Sequence, residues 1–224
     1  PDGTKVDTIR DHVIEVNTNG DVVKVWDFNK ILDPLRDDVL SSLDMGAVCL
    51  NVDIDSAGKT MTAEELANEP YGDVAGIDTG RNWLHINSIG YDAEDDSIII
   101  SARHQSAVIK IGRDNEVKWI LGTPIGWEGD LADKVLVPVD SKGKKLKCDA
   151  KDCEGDFDWT WTQHTAWPVA ERGTVTVFDN GDGRSLEQPA LPTMKYSRGV
   201  EYKVDMDKMT VQQTWEYGKD RGYE

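Results

Sequence analysis

The chain has 224 residues, which suffices for one large domain or two small ones, and a formal net charge of −17. This charge repels polyanions, which disfavours nucleic acid and an anionic membrane surface as partners. No apolar run in the sequence approaches the roughly 20 residues that are needed to span a bilayer.

Pairs of strands separated by polar turns recur along the chain. Residues 12–28, 107–122 and 200–218 each show an alternating strand, a turn rich in Asn, Asp or Gly, and a second strand that ends near a tryptophan. Two further hairpins, at 84–103 and 163–180, precede the later copies, and each begins near a histidine. Joined in order, these pairs predict four-stranded antiparallel meanders, whose repetition is typical of a β-propeller.

The predicted fold is therefore all-β, a partial propeller domain over residues 1–224. Complete blades are expected at about 84–122 and 163–218, with half a blade before them, which makes about two and a half blades. Propellers close with roughly 4–8 blades, so we expect a segment of a longer protein. A stacked β-sandwich is the alternative, but it does not explain two histidine-headed hairpins in the same relative place.

Two inserts interrupt the predicted blades, at 29–80 and 123–158. In the first insert, apolar residues between 31 and 43 recur at helical spacing, and 62–70 begins with a capping threonine and stops at a proline. We therefore expect short helices there. Because the sequence begins at Pro1 and lacks a signal-peptide pattern, we also expect that an N-terminal segment was removed or not included.

The first histidine-headed hairpin brings two anion-binding side chains together. If Tyr91 pairs with Ser97 across the turn, His85 lies opposite Arg103 at the open end of the hairpin. The first strand of each propeller blade lines the central channel. His85 and His164 are 79 residues apart at equivalent positions of two blades, so both are predicted to point into one cavity.

The remaining polar motifs favour less specific interpretations. His12 and His104 lie at the ends of outer strands, where we expect solvent-facing or structural roles. The acidic stretch at 179–183 is explained by turn chemistry. Residues 53–64 resemble a calcium-binding loop, but Ala57 stands where an oxygen ligand is required.

The three cysteines divide into two groups. Cys49 lies in an apolar run and is expected to be buried as a small hydrophobic residue. Cys148 and Cys153 lie close together in a polar insert, where either a disulfide, typical of an oxidising compartment, or two free thiols are possible. Neither a CxxC pair nor a Cys/His cluster has zinc spacing, so we expect no structural zinc.

The chain contains three long motifs, NWLHINSIGYD…SIIISARHQSAVIKI, WDFNKILDPLRDDVL and WTQHTAWPV…VFDNGDGR. These motifs resemble the bacterial arylsulfate sulfotransferases, the family that works without a nucleotide sulfate donor. The similarity runs over essentially the whole chain, at the family's central blades. It implies a six-bladed propeller preceded by a small β-domain, export to the periplasm and a homodimer of the full-length protein.

The resemblance also implies roles for individual residues. His164 in TQHTAW matches the family's nucleophilic histidine, which becomes sulfated during turnover. His85 and Asn87 in LHINS, and Arg103 in ISARH, match residues that bind the sulfate group and the phenol. The implied reaction is a ping-pong transfer of a sulfuryl group from an aryl sulfate ester to an acceptor phenol, with no cofactor and no metal.

The physical chemistry of these side chains fits that reaction. Sulfuryl transfer resembles phosphoryl transfer, in which positioning and electrostatic stabilisation of the non-bridging oxygens do most of the catalysis. The planar guanidinium of Arg103 suits such an oxyanion. A neutral imidazole can act as the nucleophile, and a second histidine can protonate the leaving phenolate and deprotonate the acceptor.

The resemblance further implies a disulfide between Cys148 and Cys153. Other pocket residues of the family, a histidine upstream and a threonine downstream, fall outside this sequence, so we expect activity of the full-length protein rather than of this segment alone. Two other functions stay open, a non-catalytic propeller that serves as an interaction platform and a calcium-dependent propeller hydrolase. A platform needs no converging His and Arg, and a calcium hydrolase would place Asp, Asn and Glu at the heads of the inner strands.

Overall fold

A computed structural model describes residues 9–36, 83–186 and 196–221. These residues form three β-sheets, joined by one short helix, α1 (Phe28–Ile31), and by 3₁₀ turns. The strands are β1 (His12–Val16), β2 (Val22–Asp27), β3 (Ile86–Asp92), β4 (Ser97–Ala102), β5 (Ala107–Gly112), β6 (Val117–Gly122), β7 (Val137–Pro138), β8 (His164–Val169), β9 (Thr174–Asp179), β10 (Arg198–Asp205) and β11 (Thr210–Tyr217).

The sheets follow the chain in order. β1 and β2 form an antiparallel pair, β3 to β6 form a four-stranded antiparallel sheet, and β8 to β11 form a second one. The predicted all-β, antiparallel organisation is therefore confirmed. The insert at 123–158 adds a strand that was not predicted, because β7 pairs in parallel with β11. The helices expected from residues 37–70, the calcium-like loop and Cys49 lie outside the described residues.

The sheet β3–β6 is covered on both faces. Ile98 and Ile100 of β4 pack into a core shared with β1 and β2, whereas Ile99, between them, packs into a core shared with β8 to β11. Successive side chains of a strand point to opposite faces, so one apolar run serves two interfaces. This explains why every residue of β4 and β5 is buried.

Two of the three recurrent tryptophans lie in these interfaces. Trp26 is buried, and its indole N–H donates to the carbonyl oxygen of Gly112 on the next sheet at 3.0 Å. Trp119 is buried in the core between the second and third sheets. Trp215, on the last described strand, is 52% exposed. In the first two copies, the tryptophan therefore fills the space between neighbouring sheets.

The disulfide between Cys148 and Cys153 is present, which confirms the pairing implied by the resemblance. Both cysteines pack at the edge of the core that the sheet β3–β6 shares with β8 to β11. Within the short disulfide loop, Asp152 accepts a hydrogen bond from the Ser185 hydroxyl at 2.7 Å. The disulfide loop is thereby attached to residues 179–186, the segment that follows β9.

Candidate active site

The open end of the hairpin β3–β4 places His85 opposite Arg103, as predicted, but the predicted turn register was wrong by one residue. Tyr91 pairs with Ile98 rather than with Ser97. A β-bulge nearer the open end shifts the pairing back by one residue. The backbone N–H of Arg103 then donates to the carbonyl oxygen of His85 at 3.1 Å.

The bulge lies between Ile86 and Ser88, directly after His85. His85 itself has a φ of 50°, which few non-glycine residues adopt. Bulges bend a strand and re-aim its side chains, and unusual backbone conformations cluster at functional sites. The backbone at this hairpin end is therefore shaped to direct the His85 side chain.

Arg103 is 2% exposed and begins the 3₁₀ turn Arg103–Gln105. Its Nη2 donates to Asp182 Oδ2 at 3.2 Å. Its Nε and Nη1 are buried, and neither has a hydrogen-bond partner among the described residues. Buried donors almost always find an acceptor, and these two nitrogens can donate hydrogen bonds to a bound anion.

Asp182 connects Arg103 electrostatically with His164. Burial raises the pKa of the Asp182 carboxyl, against the lowering effects of Arg103, of a hydrogen bond with Thr162 and of His164. Both the arginine and the histidine therefore act on the same carboxyl group. Asp182 offsets part of the positive charge of Arg103, so the ion pair is less positive than the arginine alone would be.

His85 lies among titratable groups. The His85 and His104 rings are 4.9 Å apart between centroids, and His104 is fully buried, so it is not solvent-facing. Asp11, the residue before β1, lies within electrostatic range of His85. Burial raises the pKa of Asp11, and the proximity of His85 and His12 opposes that rise.

His164 begins β8 and has a different environment. A bulge between His164 and Trp167 interrupts the pairing of β8 with β9, and Thr162 and Thr165 both have positive φ values, of 48° and 55°. The His164 Nδ1 lies 2.7 Å from Oδ1 of Asn180. As at His85, irregular backbone directs the histidine, but here its ring is held by a neutral amide.

Asn87 and Gln163 join the two hairpins. The Asn87 side-chain amide donates to the Gln163 carbonyl oxygen at 2.8 Å, and the Ser101 hydroxyl donates to the same oxygen at 3.0 Å. The Gln163 amide donates to the carbonyl oxygens of Ala102, at the end of β4, and Ala107, at the start of β5. The residue before His164 is therefore fixed to the sheet that carries His85 and Arg103.

Sequence reasoning missed Asn180, Asp182 and the His104 contact. The stretch at 179–183 was explained by turn chemistry alone, whereas its side chains contact His164 and Arg103. A signal for Asp182 was available, because Arg103 and Asp182 are 79 residues apart, like His85 and His164. The repeat offset that linked the two histidines also links this ion pair.

Within residues 9–36, 83–186 and 196–221, no cluster of three or more His, Cys, Asp or Glu side chains is arranged to hold a metal ion. In the same part of the chain, no helix is both long and apolar enough to cross a membrane.

A profile of the family described as Arylsulfotransferase (ASST) matches residues 1–224. The chain belongs to the arylsulfotransferase family.

Two curated relatives are similar along the whole chain. The chain is 61% identical over 225 residues to the arylsulfate sulfotransferase AssT of Escherichia coli O6:H1, covering 100% of this chain and 37% of that protein. It is 57% identical over 225 residues to the arylsulfate sulfotransferase AssT of Lelliottia amnigena, with the same coverage of 100% and 37%. The chain therefore spans 37% of the length of these relatives.

Proposed function

We propose that the full-length protein transfers a sulfuryl group from an aryl sulfate ester to an acceptor phenol, through a sulfated His164. The observation that carries this proposal is the buried Arg103 with two unpartnered donor nitrogens, linked through Asp182 to His164. Family membership supports the same substrate class. Arg103 would bind the sulfuryl oxygens, where negative charge is concentrated.

The reaction has two balanced halves. The His164 Nε2 lone pair attacks sulfur, an N–S bond forms, the bond from sulfur to the aryl oxygen breaks, and the leaving phenolate takes a proton from protonated His85. In the second half, neutral His85 takes the proton of the acceptor phenol. The phenol oxygen attacks sulfur, and the N–S bond breaks, which returns its electron pair to His164.

Asn87 and Arg103 would complete the donor site. The Asn87 amide donates to the Gln163 backbone, and its Oδ1 is buried without a partner among the described residues. This oxygen can accept a hydrogen bond from a phenol. In this proposal, Arg103 binds the sulfuryl group and His164 is the nucleophile. His85 and Asn87 interact with the phenolic oxygen.

We also propose that the three sheets are consecutive parts of a six-bladed propeller. Their order along the chain and the burial of Trp26 and Trp119 between successive sheets support this arrangement. The proposal extends to periplasmic residence, because disulfides persist in oxidising compartments, and to a homodimer. Fractionation of cells and light scattering of the full-length protein test these two points.

The central experiment is a brief exposure of the full-length protein to an aryl sulfate without an acceptor, followed by intact-mass measurement and peptide mapping. We expect the mass of one added sulfuryl group, located on His164. Adding a phenol should remove the group and yield the sulfated acceptor. Chelator is present throughout, because the proposed mechanism uses no metal.

The matched control is His12→Ala, which removes a partly exposed histidine whose Nε2 lies 3.6 Å from Asp27 Oδ1 and to which no step of the proposed reaction is assigned. This variant should be sulfated like the wild type, whereas His164→Ala should gain no mass. A sulfated His164→Ala protein, or complete loss of wild-type activity with chelator alone, would overturn the proposed mechanism.

A further inference from the structure

The proposed nucleophile has one ring nitrogen already engaged. His164 Nδ1 lies 2.7 Å from Asn180 Oδ1, a short distance for a hydrogen bond from nitrogen to oxygen. A neutral imidazole carries one N–H and one lone pair. When Nδ1–H donates to Asn180, the lone pair is on Nε2, and Nε2 is the nitrogen that remains to attack sulfur.

Asn180 is held from both sides. Its backbone carbonyl oxygen accepts a hydrogen bond from the Ser197 hydroxyl at 2.7 Å. The preceding residue, Asp179, is completely buried, and its Oδ2 accepts hydrogen bonds from Arg184 and Arg198, each at 2.9 Å. The backbone that presents the Asn180 side chain is therefore anchored by a buried charge network.

On the basis of the proposed function, we propose that Asn180 is a positioning residue for sulfuryl transfer. It holds His164 in the neutral form that has its proton on Nδ1 and its lone pair on Nε2. The same contact orients the ring, since a hydrogen bond at Nδ1 leaves little rotational freedom about the bond that joins the ring to the side chain.

An amide suits this role better than a carboxylate. A carboxylate at hydrogen-bond distance favours the protonated imidazolium, which has no lone pair for attack. The carbonyl dipole of Asn180 selects the tautomer without adding a full charge. After attack, the N-sulfated ring is positively charged, and Nδ1–H keeps its hydrogen bond to Asn180 while the sulfuryl group is held.

Other charged and titratable groups lie near His164 or on the hairpin that packs against β8. They are Asp182 in the loop after β9, and Arg103, His85 and His104 at the end of the facing hairpin. Asp179 is neutralised by its two arginines. All of these groups are retained when Asn180 alone is replaced, so a change in the pH dependence reports the charge placed at position 180.

The first test reads the tautomer without any reaction. Nitrogen-15 NMR of the full-length protein with labelled histidine distinguishes an N–H nitrogen from a lone-pair nitrogen, and the His164→Ala spectrum identifies the His164 signals. We expect the proton on Nδ1 in the wild type and a mixture of tautomers in Asn180→Ala. A wild-type His164 with its proton on Nε2 overturns the inference, whether or not the protein is sulfated.

The second test measures the rate of His164 sulfation against pH in single-turnover experiments. In Asn180→Asp, the acidic limb of the profile should move to higher pH by about one unit or more. In Asn180→Ala, the sulfation rate should fall about tenfold, with the KM for the donor unchanged because Arg103 still binds it. Asn180→Gln, which keeps the amide on a longer side chain, should recover part of the rate.

Ser197→Ala is the matched control, because it removes a support of the Asn180 backbone and keeps the acceptor. Its acidic limb should coincide with that of the wild type. An unmoved limb in Asn180→Asp, or equal effects of Asn180→Ala on kcat and KM, would assign Asn180 a merely structural role. A wild-type protein with the expected tautomer but no sulfation would instead refute the proposed function.

Discussion

The two histidine-headed hairpins look alike in sequence but provide different chemical environments. His85 contacts the ring of His104 and lies within electrostatic range of Asp11. His164 has its Nδ1 held by the neutral amide of Asn180. A ring among titratable neighbours is suited to exchange protons, whereas a ring held by an amide is suited to present a lone pair. The repeated position therefore carries two different environments, which fit the two roles proposed for these histidines.

The two hairpins also differ in how they are braced. The turn of β3–β4 is held by ion pairs in which the half-buried Asp95 contacts the buried Lys110 and the half-buried Lys118. The loop that follows β9 is held by the buried Asp179 network and, through Ser185, by the disulfide loop. We expect the second hairpin to lose more stability than the first when its brace is removed.

The largest effects on transfer activity are expected from replacing the two histidines, and the two replacements should differ. His164→Gln should abolish transfer for every donor, because the proposed nucleophile is gone. His85→Gln should lose roughly 10²–10⁴-fold in kcat with a weakly acidic leaving phenol and far less with a strongly acidic one, which leaves without a proton. Release of the phenol from a series of aryl sulfates measures this. Equal losses along the series for His85→Gln would contradict the assigned proton transfer.

Arg103→Lys should have the next largest effect, since it tests the link between the hairpins. A lysine cannot reproduce the planar fork of donors, and each charge-assisted hydrogen bond lost costs about 1.5–3 kcal/mol. We expect kcat/KM for the donor to fall roughly 10–100-fold. Arg172→Lys, at a 59% exposed side chain beyond β8, is the control and should behave like the wild type. Unchanged donor kinetics in Arg103→Lys would remove Arg103 from the donor site.

Loss of the disulfide should have an effect of intermediate size, on the stability of the fold. The pair Cys148 and Cys153 encloses a short loop, with a sequence separation of 5 residues, for which chain entropy predicts a loss of about 2 kcal/mol in the free energy of unfolding. Urea unfolding of the full-length Cys148→Ser, Cys153→Ser double variant measures it. Hydrogen exchange should rise at 179–186 and stay constant at 92–97. Equal increases in both segments would contradict the separate bracing of the hairpins.

The smallest effect is expected for Asp95→Asn. Burial raises the pKa of Asp95, but hydrogen bonds with Lys118, Ser97 and Lys110 outweigh burial and lower it to about 2. A lowered pKa in the folded state stabilises the fold above about pH 4, and the contribution disappears as the pH falls through about 2. A shift of this size corresponds to about 2 kcal/mol at neutral pH, which screening by solvent reduces, so we expect Asp95→Asn to cost roughly 1 kcal/mol.

Thermal unfolding of the wild type and of Asp95→Asn between pH 7 and pH 2 measures the difference in stability between the two proteins. The two midpoints should converge as the pH is lowered, and added salt should also bring them closer, because it screens the partly exposed pair of Asp95 and Lys118. Hydrogen exchange should rise at 92–97 and not at 179–186. A difference that grows toward low pH would contradict the sign of the shift.

Much of the architecture could be predicted from local pattern. Alternation of apolar residues and polar turns predicted the antiparallel strands, because a half-buried strand has a period of two residues. The offset of 79 residues between His85 and His164 placed both at the heads of equivalent hairpins. The match to family motifs, rather than spacing, indicated the disulfide between Cys148 and Cys153. These features depend on neighbouring residues or on long motifs, which the sequence alone determined.

The tertiary structure alone decided the environment of each histidine. The alternation pattern predicted a turn register that is wrong by one residue, because it did not reveal the bulge after His85. Bulges depend on hydrogen bonds between strands rather than on alternation. The sequence indicated only a turn at Asn180 and Asp182. In the folded protein, Asn180 contacts His164 and Asp182 contacts Arg103. Such contacts join residues distant along the chain, and their distances follow from how two sheets pack. This is why the sequence located the histidines and only the fold distinguished their neighbours.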